Sequence, residues 1–262
     1  MGGISIKSSE VTDRGLQYDR RFMLIDENNT FLSQRTIPKM ALLQTAIKDD
    51  QLLVFEKNSS DDKLVLPLSP DPFSKNVYVK VWEDECEAQL VSKEADSWFS
   101  KKLNCSCRLV YMPQSTKRKV DTKYAVDNEI TSFSDAFPLL VIGQSSLDDL
   151  NSRLTEPLPI NRFRPNVVFT GGTPFQEDVM EHFRINNLDF YCVKPSARCV
   201  ITTTDQETGL AGKEPLKTLS TYRSKNNKVY FGQNVLMKGE GRIKFGDKIE
   251  VISETEVSFL SS

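Results

Sequence analysis

Short runs that alternate apolar and polar residues dominate the first part of the chain. This alternation is typical of strands that bury one face. Such runs lie at 4–6, 21–26, 31–35, 42–47, 52–56, 64–66 and 77–82. Turn-forming residues separate them, such as Asn28 and Asn29, which tolerate left-handed backbone. The pattern predicts an antiparallel sheet or barrel, with 4–6 as an edge strand.

One later segment of this half has a helical period instead. Ala95, Trp98, Phe99 and Leu103 share one face of a helix over 94–103. A strand at 108–112 follows the predicted helix.

A polar stretch then divides the chain. Residues 114–128 are charge-rich and show no apolar periodicity, which is typical of a linker or mobile loop. We therefore predict a first domain at 1–113, a linker or loop at 114–130 and a second domain at 131–256.

The second half combines longer apolar strands with short helices. Ser146 and Asp149 have the spacing of a capping box, and Leu147, Leu150 and Leu154 continue one helical face. Apolar runs that predict strands lie at 139–142, 166–170, 183–193, 229–232, 234–238 and 248–252. The whole pattern predicts an α+β fold with mostly antiparallel β-barrel cores and a few short helices.

Charge and composition exclude several kinds of partner. The 262 residues contain 34 Lys and Arg against 36 Asp and Glu, so no overall field attracts nucleic acid, and we expect no nucleic-acid partner. The densest basic cluster, 117–119, is interpreted as a solvated loop. No apolar run approaches the length that crosses a bilayer, and we expect no membrane span.

The cysteine and histidine content limits the chemistry further. Five cysteines, an odd number without paired metal-finger spacing, are typical of reduced thiols, and we expect a cytoplasmic location. The single histidine, His182, argues against a His-rich metal site and a Ser-His-Asp hydrolase.

One thiol has a neighbour that changes its chemistry. Cys199 follows Arg198, and the β-branched run 200–204 predicts a buried strand after it, with Asp205 and Gly209 marking the next turn. A guanidinium favours the thiolate, which is a ligand for soft or high-valent metals. The alternative is that Cys199 is a small buried apolar residue at the start of a strand.

Several motifs accompany this segment. They are YDRRF at 18–22, FRPNVV at 163–168, KPSARCVITTTD at 194–205, KEP at 213–215 and FGQN at 231–234. Together they resemble the MOSC family, in the branch that contains the mitochondrial amidoxime reducing component, and the resemblance runs from about Gly3 to Val251.

The resemblance implies a molybdenum cofactor and names candidate residues for it. Cys199 would be the protein's metal ligand, and Ser196 stands where many relatives have a second cysteine. Arg20, Arg164, Asn166 and Arg198 match family positions that contact the cofactor, while Asp135 matches an acidic position near the open face of the metal.

Each candidate has a simpler alternative. Arg164 could form a salt bridge across a loop, and Asn166 could cap a turn. Asp135 could orient a substrate amidine or relay a proton, provided that burial raises its pKa, or it could be only a turn residue before Pro138. Relatives usually have a front strand ending in a Lys-Ser pair, and Lys7-Ser8 falls too late in register to be that pair, so the chain is either trimmed or binds its cofactor differently.

The function implied is reduction of N-hydroxylated compounds: amidoximes, hydroxylamines or N-hydroxylated bases. The catalytic candidates are Cys199 and Asp135, the substrate is a small molecule, and electrons come from an external electron-transfer protein. The alternative is a carrier module that holds the molybdenum cofactor, or a persulfide on Cys199, without reductase activity.

Overall fold

A computed structural model of the chain describes residues 1–57 and 59–256. Within these residues the first half forms nine strands and one α-helix. They are β1 (Ser8–Thr12), β2 (Gly15–Leu16), β3 (Phe22–Ile25), β4 (Leu43–Lys48), β5 (Gln51–Glu56), β6 (Ser59–Pro67), β7 (Asn76–Val81), β8 (Asp84–Leu90), α1 (Lys93–Leu103) and β9 (Arg108–Tyr111).

The second half also combines strands with short helices. Short 3₁₀ turns lie at Pro38–Leu42 in the first half and at Ile160–Arg162, Gln176–Asp178 and Val200–Thr203 in the second. Its elements are β10 (Arg118–Lys119), β11 (Ile130–Thr131), β12 (Leu139–Gly143), α2 (Gln144–Ser152), β13 (Val167–Phe169), β14 (Met180–Ile185), β15 (Leu188–Arg198), α3 (Leu216–Ser220), β16 (Ser224–Lys225), β17 (Lys228–Lys238), β18 (Gly241–Lys244) and β19 (Ile249–Glu254).

The strands form curled, mostly antiparallel sheets, which confirms the predicted α+β class. The largest sheet has the order β13-β12-β17-β15-β14-β19, with β16 paired to β17, and β12 pairs with β13 in parallel. The first half contributes the sheets β3-β9-β8-β7 and β4-β5-β6. Helix α1 packs Ala95, Phe99 and Leu103 into the core of the first half, as its period predicts.

The two halves share a sheet. Strand β1 pairs antiparallel with β18, in register from Ser8 with Lys244 to Val11 with Gly241. Val11 lies in the same apolar core as Leu139 and Phe190 of the second half. The first strand of the chain is therefore built into the second half.

The segment between the halves is more ordered than predicted. Strand β10 lies within 114–130, strand β11 begins at residue 130, and the two strands pair with each other. Arg118 and Val120 are buried, whereas Lys117 and Lys119 are exposed. The prediction of a solvated basic loop is wrong for Arg118, because its guanidinium bonds to buried carbonyl oxygens of the second half.

Other predicted elements also differ. Residues 4–6 form no strand, and Ile4 and Ile6 are exposed. The run 31–35 contributes only an isolated bridge between Phe31 and Ile25. The capping box predicted at Ser146 is wrong, because helix α2 begins after Gly143, which has no side chain to cap it. Ser146 lies in the first turn of the helix, and its hydroxyl donates to Glu177.

Candidate functional site

A cleft of about 1600 Å³ is lined by residues of both halves and contains every site residue predicted from the sequence. Tyr18 to Leu24 and Phe31 to Arg35 contribute from the first half. Ser134 to Phe137, Phe163 to Thr170 and Lys194 to Cys199 contribute from the second. The candidate residues, although far apart in sequence, therefore face one common space.

Cys199 lies at the end of β15, so the strand precedes the thiol and does not follow it. The predicted strand at 200–204 is wrong, because Val200–Thr203 forms a 3₁₀ turn. The hydroxyl groups of Thr202 and Thr203 donate to the carbonyl oxygens of Cys199 and Val200, which stabilises this turn against an extended chain. The Cys199 side chain is half-buried and its thiol is free.

Three guanidinium groups approach one another beside Cys199. Arg198 donates to the Phe163 carbonyl oxygen at 2.6 Å and to Ser196 Oγ at 2.9 Å. Arg164 has left-handed backbone, with φ 56°, and Arg20 Nη2 donates to its carbonyl oxygen at 3.4 Å. Arg20 also pairs with Asp19. The guanidinium groups of Arg198 and Arg164 thus donate to backbone carbonyl oxygens, of Phe163 and of Met1, which leave their charge in place, whereas Arg20 has the Asp19 carboxylate as its partner.

The electrostatics of this cluster favour an anion. Burial lowers the pKa of Arg198 to about 10, and Arg164 and Arg20 add like-charge repulsion. Burial, and then repulsion by Arg20, lowers the pKa of Arg164 to about 10. The buried Nε of Arg198 has no hydrogen-bond partner among the described residues. This unpaired N–H of the Arg198 guanidinium, in a desolvated positive cluster, suits a phosphate. The half-buried Cys199 thiol beside it suits a soft metal. These residues therefore fit a molybdenum cofactor.

Asn166 connects the two halves at this cluster. Its Oδ1 accepts the Leu140 backbone N–H at 3.1 Å, and its Nδ2 donates to Asp19 Oδ2 at 2.8 Å. The same Asp19 carboxylate pairs with Arg20. The Asn166 amide therefore holds the Asp19-Arg20 pair in position. This role is more than the turn cap that the sequence offered as the simpler alternative.

Asp135 faces the cleft and accepts hydrogen bonds from two side chains of the first half. Arg35 donates to its Oδ2 at 2.8 Å, and Trp82 Nε1 donates to its Oδ1 at 3.3 Å. Partial desolvation within the cleft acts to raise the pKa of Asp135, but the attraction of Arg35, the hydrogen bonds from Arg35 and Trp82, and the attraction of Arg20 lower it below the ordinary value. The condition attached to a proton-relay role, a raised pKa, is not met in this structure.

Comparison with known proteins shows the family of the chain. A MOSC N-terminal beta barrel domain model matches residues 1–106, and a MOSC domain model matches residues 128–250. Mitochondrial amidoxime-reducing component 1 of Mus musculus is 30% identical over 96% of this chain and 78% of its own length. The chain belongs to the MOSC family, in the branch of the amidoxime-reducing components.

Two further relatives show the breadth of this MOSC branch. Mitochondrial amidoxime reducing component 2 of Bos taurus is 30% identical over 94% of this chain and 78% of the relative. A molybdenum cofactor sulfurase of Oryza sativa subsp. japonica is 32% identical over 95% of this chain, but the match covers only 33% of the sulfurase.

Sequence reasoning on this MOSC chain missed Arg35 and Trp82. Both were assigned only to predicted strands, and both prove to contact Asp135. Neither lies in a motif with the other site residues, because Arg35 and Asp135 are 100 positions apart. A cationic side chain at the end of an apolar run was the one local signal.

No helix of the described residues is long and apolar enough to cross a membrane.

Proposed function

We propose that this protein is a molybdenum-cofactor-dependent reductase of N-hydroxylated compounds. The observation that carries the proposal is the approach of Arg20, Arg164 and Arg198 to one another beside the free thiol of Cys199. For an amidoxime the balanced reaction is R–C(NH₂)=N–OH plus two electrons and two protons, giving the amidine and water. The names of the mouse and cattle relatives support this reaction class.

The chain's own residues would share the work as follows. Cys199 would ligate the metal, Arg20, Arg164 and Arg198 would bind the phosphate of the pterin, and Asn166 would hold Arg20 in place through Asp19. A bound molybdenum cofactor supplies a two-electron reducing centre for the N–O bond. Asp135 would accept an N–H of the substrate at the cleft side, since its side chain is 67% exposed there. As an ionised carboxylate it orients the substrate and leaves protons to be supplied by water.

Metal content is the first test. Protein purified from a cofactor-competent host is compared with Cys199→Ser and with Cys105→Ser, a matched thiol outside the cleft lining. We expect near-stoichiometric molybdenum and pterin in the wild type and Cys105→Ser, and their loss in Cys199→Ser. Loaded wild type should then convert benzamidoxime to benzamidine with a chemical reductant. Negligible metal in all three proteins, or an inert loaded enzyme, would contradict the proposal.

An external electron-transfer protein, of ferredoxin or cytochrome type with its reductase, is part of the same proposal. Location in the cytoplasm is another part, supported by the five free cysteines, which suit a reducing compartment. The mouse and cattle relatives are named mitochondrial, so cell fractionation decides between the two compartments.

The alternative function is a carrier of molybdenum cofactor or sulfur. The similarity to a molybdenum cofactor sulfurase over 95% of this chain supports it. Intact-mass detection of a persulfide on Cys199 that transfers to an acceptor would favour the carrier, and a thiol that never accepts sulfur would exclude the persulfide form.

A further inference from the structure

Arg35 contacts both Asp135 and Cys199, which line the cleft. Its guanidinium donates to Asp135 Oδ2 at 2.8 Å and interacts with the Cys199 thiol. A guanidinium stays protonated throughout the pH range in which proteins are folded. Arg35 is thus a permanent cation between the candidate metal ligand and the carboxylate.

Trp82 fixes the plane of this guanidinium. The Arg35 Cζ lies 4.5 Å from the centre of the Trp82 ring, and the Phe31 ring packs against the indole at 4.8 Å. Trp82 holds left-handed backbone, with φ 57°, just after β7, and its Nε1 donates to Asp135 Oδ1. One aromatic side chain therefore both stacks on Arg35 and binds the other oxygen of the same carboxylate.

The backbone at and before Asp135 is held by Arg118. Arg118 donates to the carbonyl oxygens of Ser132 at 3.0 Å, Ser134 at 2.5 Å and Asp135 at 3.0 Å. The side chain of Asp135 is still 67% exposed to the cleft. Each carboxylate oxygen receives one donor from the first half and keeps accepting capacity toward the cleft.

We propose that Arg35 is a positioning residue that holds Asp135 as an acceptor for a substrate amino group, so that the site selects N-hydroxylated compounds with an N–H donor beside the N–O bond. The proposal rests on the proposed reductase function. It favours amidoximes and N-hydroxyguanidines, whose amino group can donate to the carboxylate. Oximes without an amino group would leave the oriented acceptor without its partner.

Benzamidoxime and benzaldehyde oxime are the matched substrates, because they share the ring and the N–OH group and differ in the amino group. With loaded enzyme and a chemical reductant, we expect wild-type kcat/KM to be at least about tenfold higher for benzamidoxime. Arg35→Gln should lose most of that ratio by slowing benzamidoxime about tenfold or more while changing benzaldehyde oxime little. Arg35→Lys should recover only part, because an ammonium lacks the planar fork that stacks and donates together.

Arg153 supplies the control. It also stacks on an aromatic ring, with its Cζ 4.1 Å from the centre of Tyr222, and it pairs with Asp149 through two hydrogen bonds at 2.9 Å. It lies outside the cleft lining. Arg153→Gln removes the same kind of Arg-aromatic-carboxylate arrangement and should leave both rates and their ratio unchanged.

A second measurement needs no cofactor and no turnover. Benzamide is a neutral, non-reducible analogue that keeps the amino group, and acetophenone lacks it. The chain has two tryptophans, so the indole N–H resonance of Trp82 is assigned by Trp98→Phe. Benzamide should shift this resonance at concentrations about tenfold lower than acetophenone, and Arg35→Gln should abolish the difference.

The outcomes separate the two proposals. An inert loaded enzyme whose Trp82 resonance still shows the Arg35-dependent preference for benzamide would refute the reductase function and keep the positioning role. An active enzyme in which Arg35→Gln keeps the wild-type substrate ratio would overturn the positioning role and keep the reductase function.

Discussion

The side-chain amide of Asn166 donates to Asp19 Oδ2 at 2.8 Å, across 147 positions of sequence. This bond joins a loop of the second half to the Asp19-Arg20 pair of the first. Asn166→Asp replaces the donor by a second carboxylate and creates like-charge contact at a half-buried position. We expect a loss of about 1–3 kcal/mol in the free energy of unfolding, together with weaker cofactor retention because Arg20 is no longer held.

The double variant with Asp19→Asn is the internal control for this prediction. It exchanges the amide and the carboxylate between the two positions, so the new amide in the first half can donate to the new carboxylate in the second. The double variant should therefore recover stability relative to Asn166→Asp, although Asp19→Asn removes the carboxylate that pairs with Arg20. Denaturant unfolding measures the effect on stability, and metal analysis measures retention. Additive losses in the double variant would show that the two side chains do not interact.

Gly232 is expected to resist any substitution. Its φ is 82°, and an added Cβ would lie 2.7 Å from Ile142 Cγ1 and 2.9 Å from the Val141 carbonyl oxygen. Gly232→Ala should cost roughly 2–5 kcal/mol, from left-handed backbone plus overpacking. Gly171 has φ 87° with nothing within 4 Å of the added atom, so Gly171→Ala should show only the backbone cost. Equal losses in thermal or denaturant unfolding would contradict this.

Glu177 makes stability depend on pH. The side chain is fully buried, burial raises its pKa, and its Oε1 has no partner among the described residues. The folded carboxyl group holds its proton more tightly than the unfolded one. The free energy of unfolding therefore falls as pH rises from the ordinary carboxyl range through the raised value, and it stays lower above that value.

Glu177→Gln tests the sign of this effect. The amide resembles the protonated acid and can still accept from Ser146 Oγ, which lies 2.7 Å from Glu177 Oε2. We expect the variant to gain stability over the wild type as pH rises, with little difference at low pH. Glu181→Gln, at an exposed position, should follow the wild type. A difference between Glu177→Gln and wild type that does not change with pH would refute the prediction.

Arg118 should not tolerate replacement even by lysine. Its guanidinium serves three carbonyl oxygens and pairs with Asp84 at 2.8 Å. One ammonium cannot reach all of them, so Arg118→Lys should lose about 1–3 kcal/mol and lower activity through the displaced Asp135 loop. Lys119→Ala, at the exposed neighbour, should change neither the unfolding midpoint nor the rate. Indistinguishable behaviour of the two variants would remove the role assigned to Arg118.

The residues that sequence reasoning found are those that short motifs carry. Arg164 with Asn166, and Arg198 with Cys199, are neighbours in sequence and stay neighbours in the cleft. Arg118 was misjudged because periodicity reports the average character of a basic cluster, and only its middle side chain is buried. Arg35 and Trp82 act through contacts with a loop far along the chain, which no local pattern encodes.

The strand predicted at 200–204 failed because side chains compete there with the backbone. The β-branched run after Cys199 has the composition of a strand, but two threonine hydroxyl groups bond back to carbonyl oxygens three residues earlier and close a 3₁₀ turn. That turn keeps the thiol at the end of β15, beside the arginine cluster.

The pairing of β1 with β18 has a consequence for dividing the chain. A cut within 114–130 would leave β1 in the N-terminal fragment without its partner and would open an edge of unpaired amides on β18 in the other fragment. We expect neither fragment to behave as a free-standing module. Expressed together, they should reassemble by fragment complementation, with Glu10 and Arg242 again forming the ion pair that links β1 to β18.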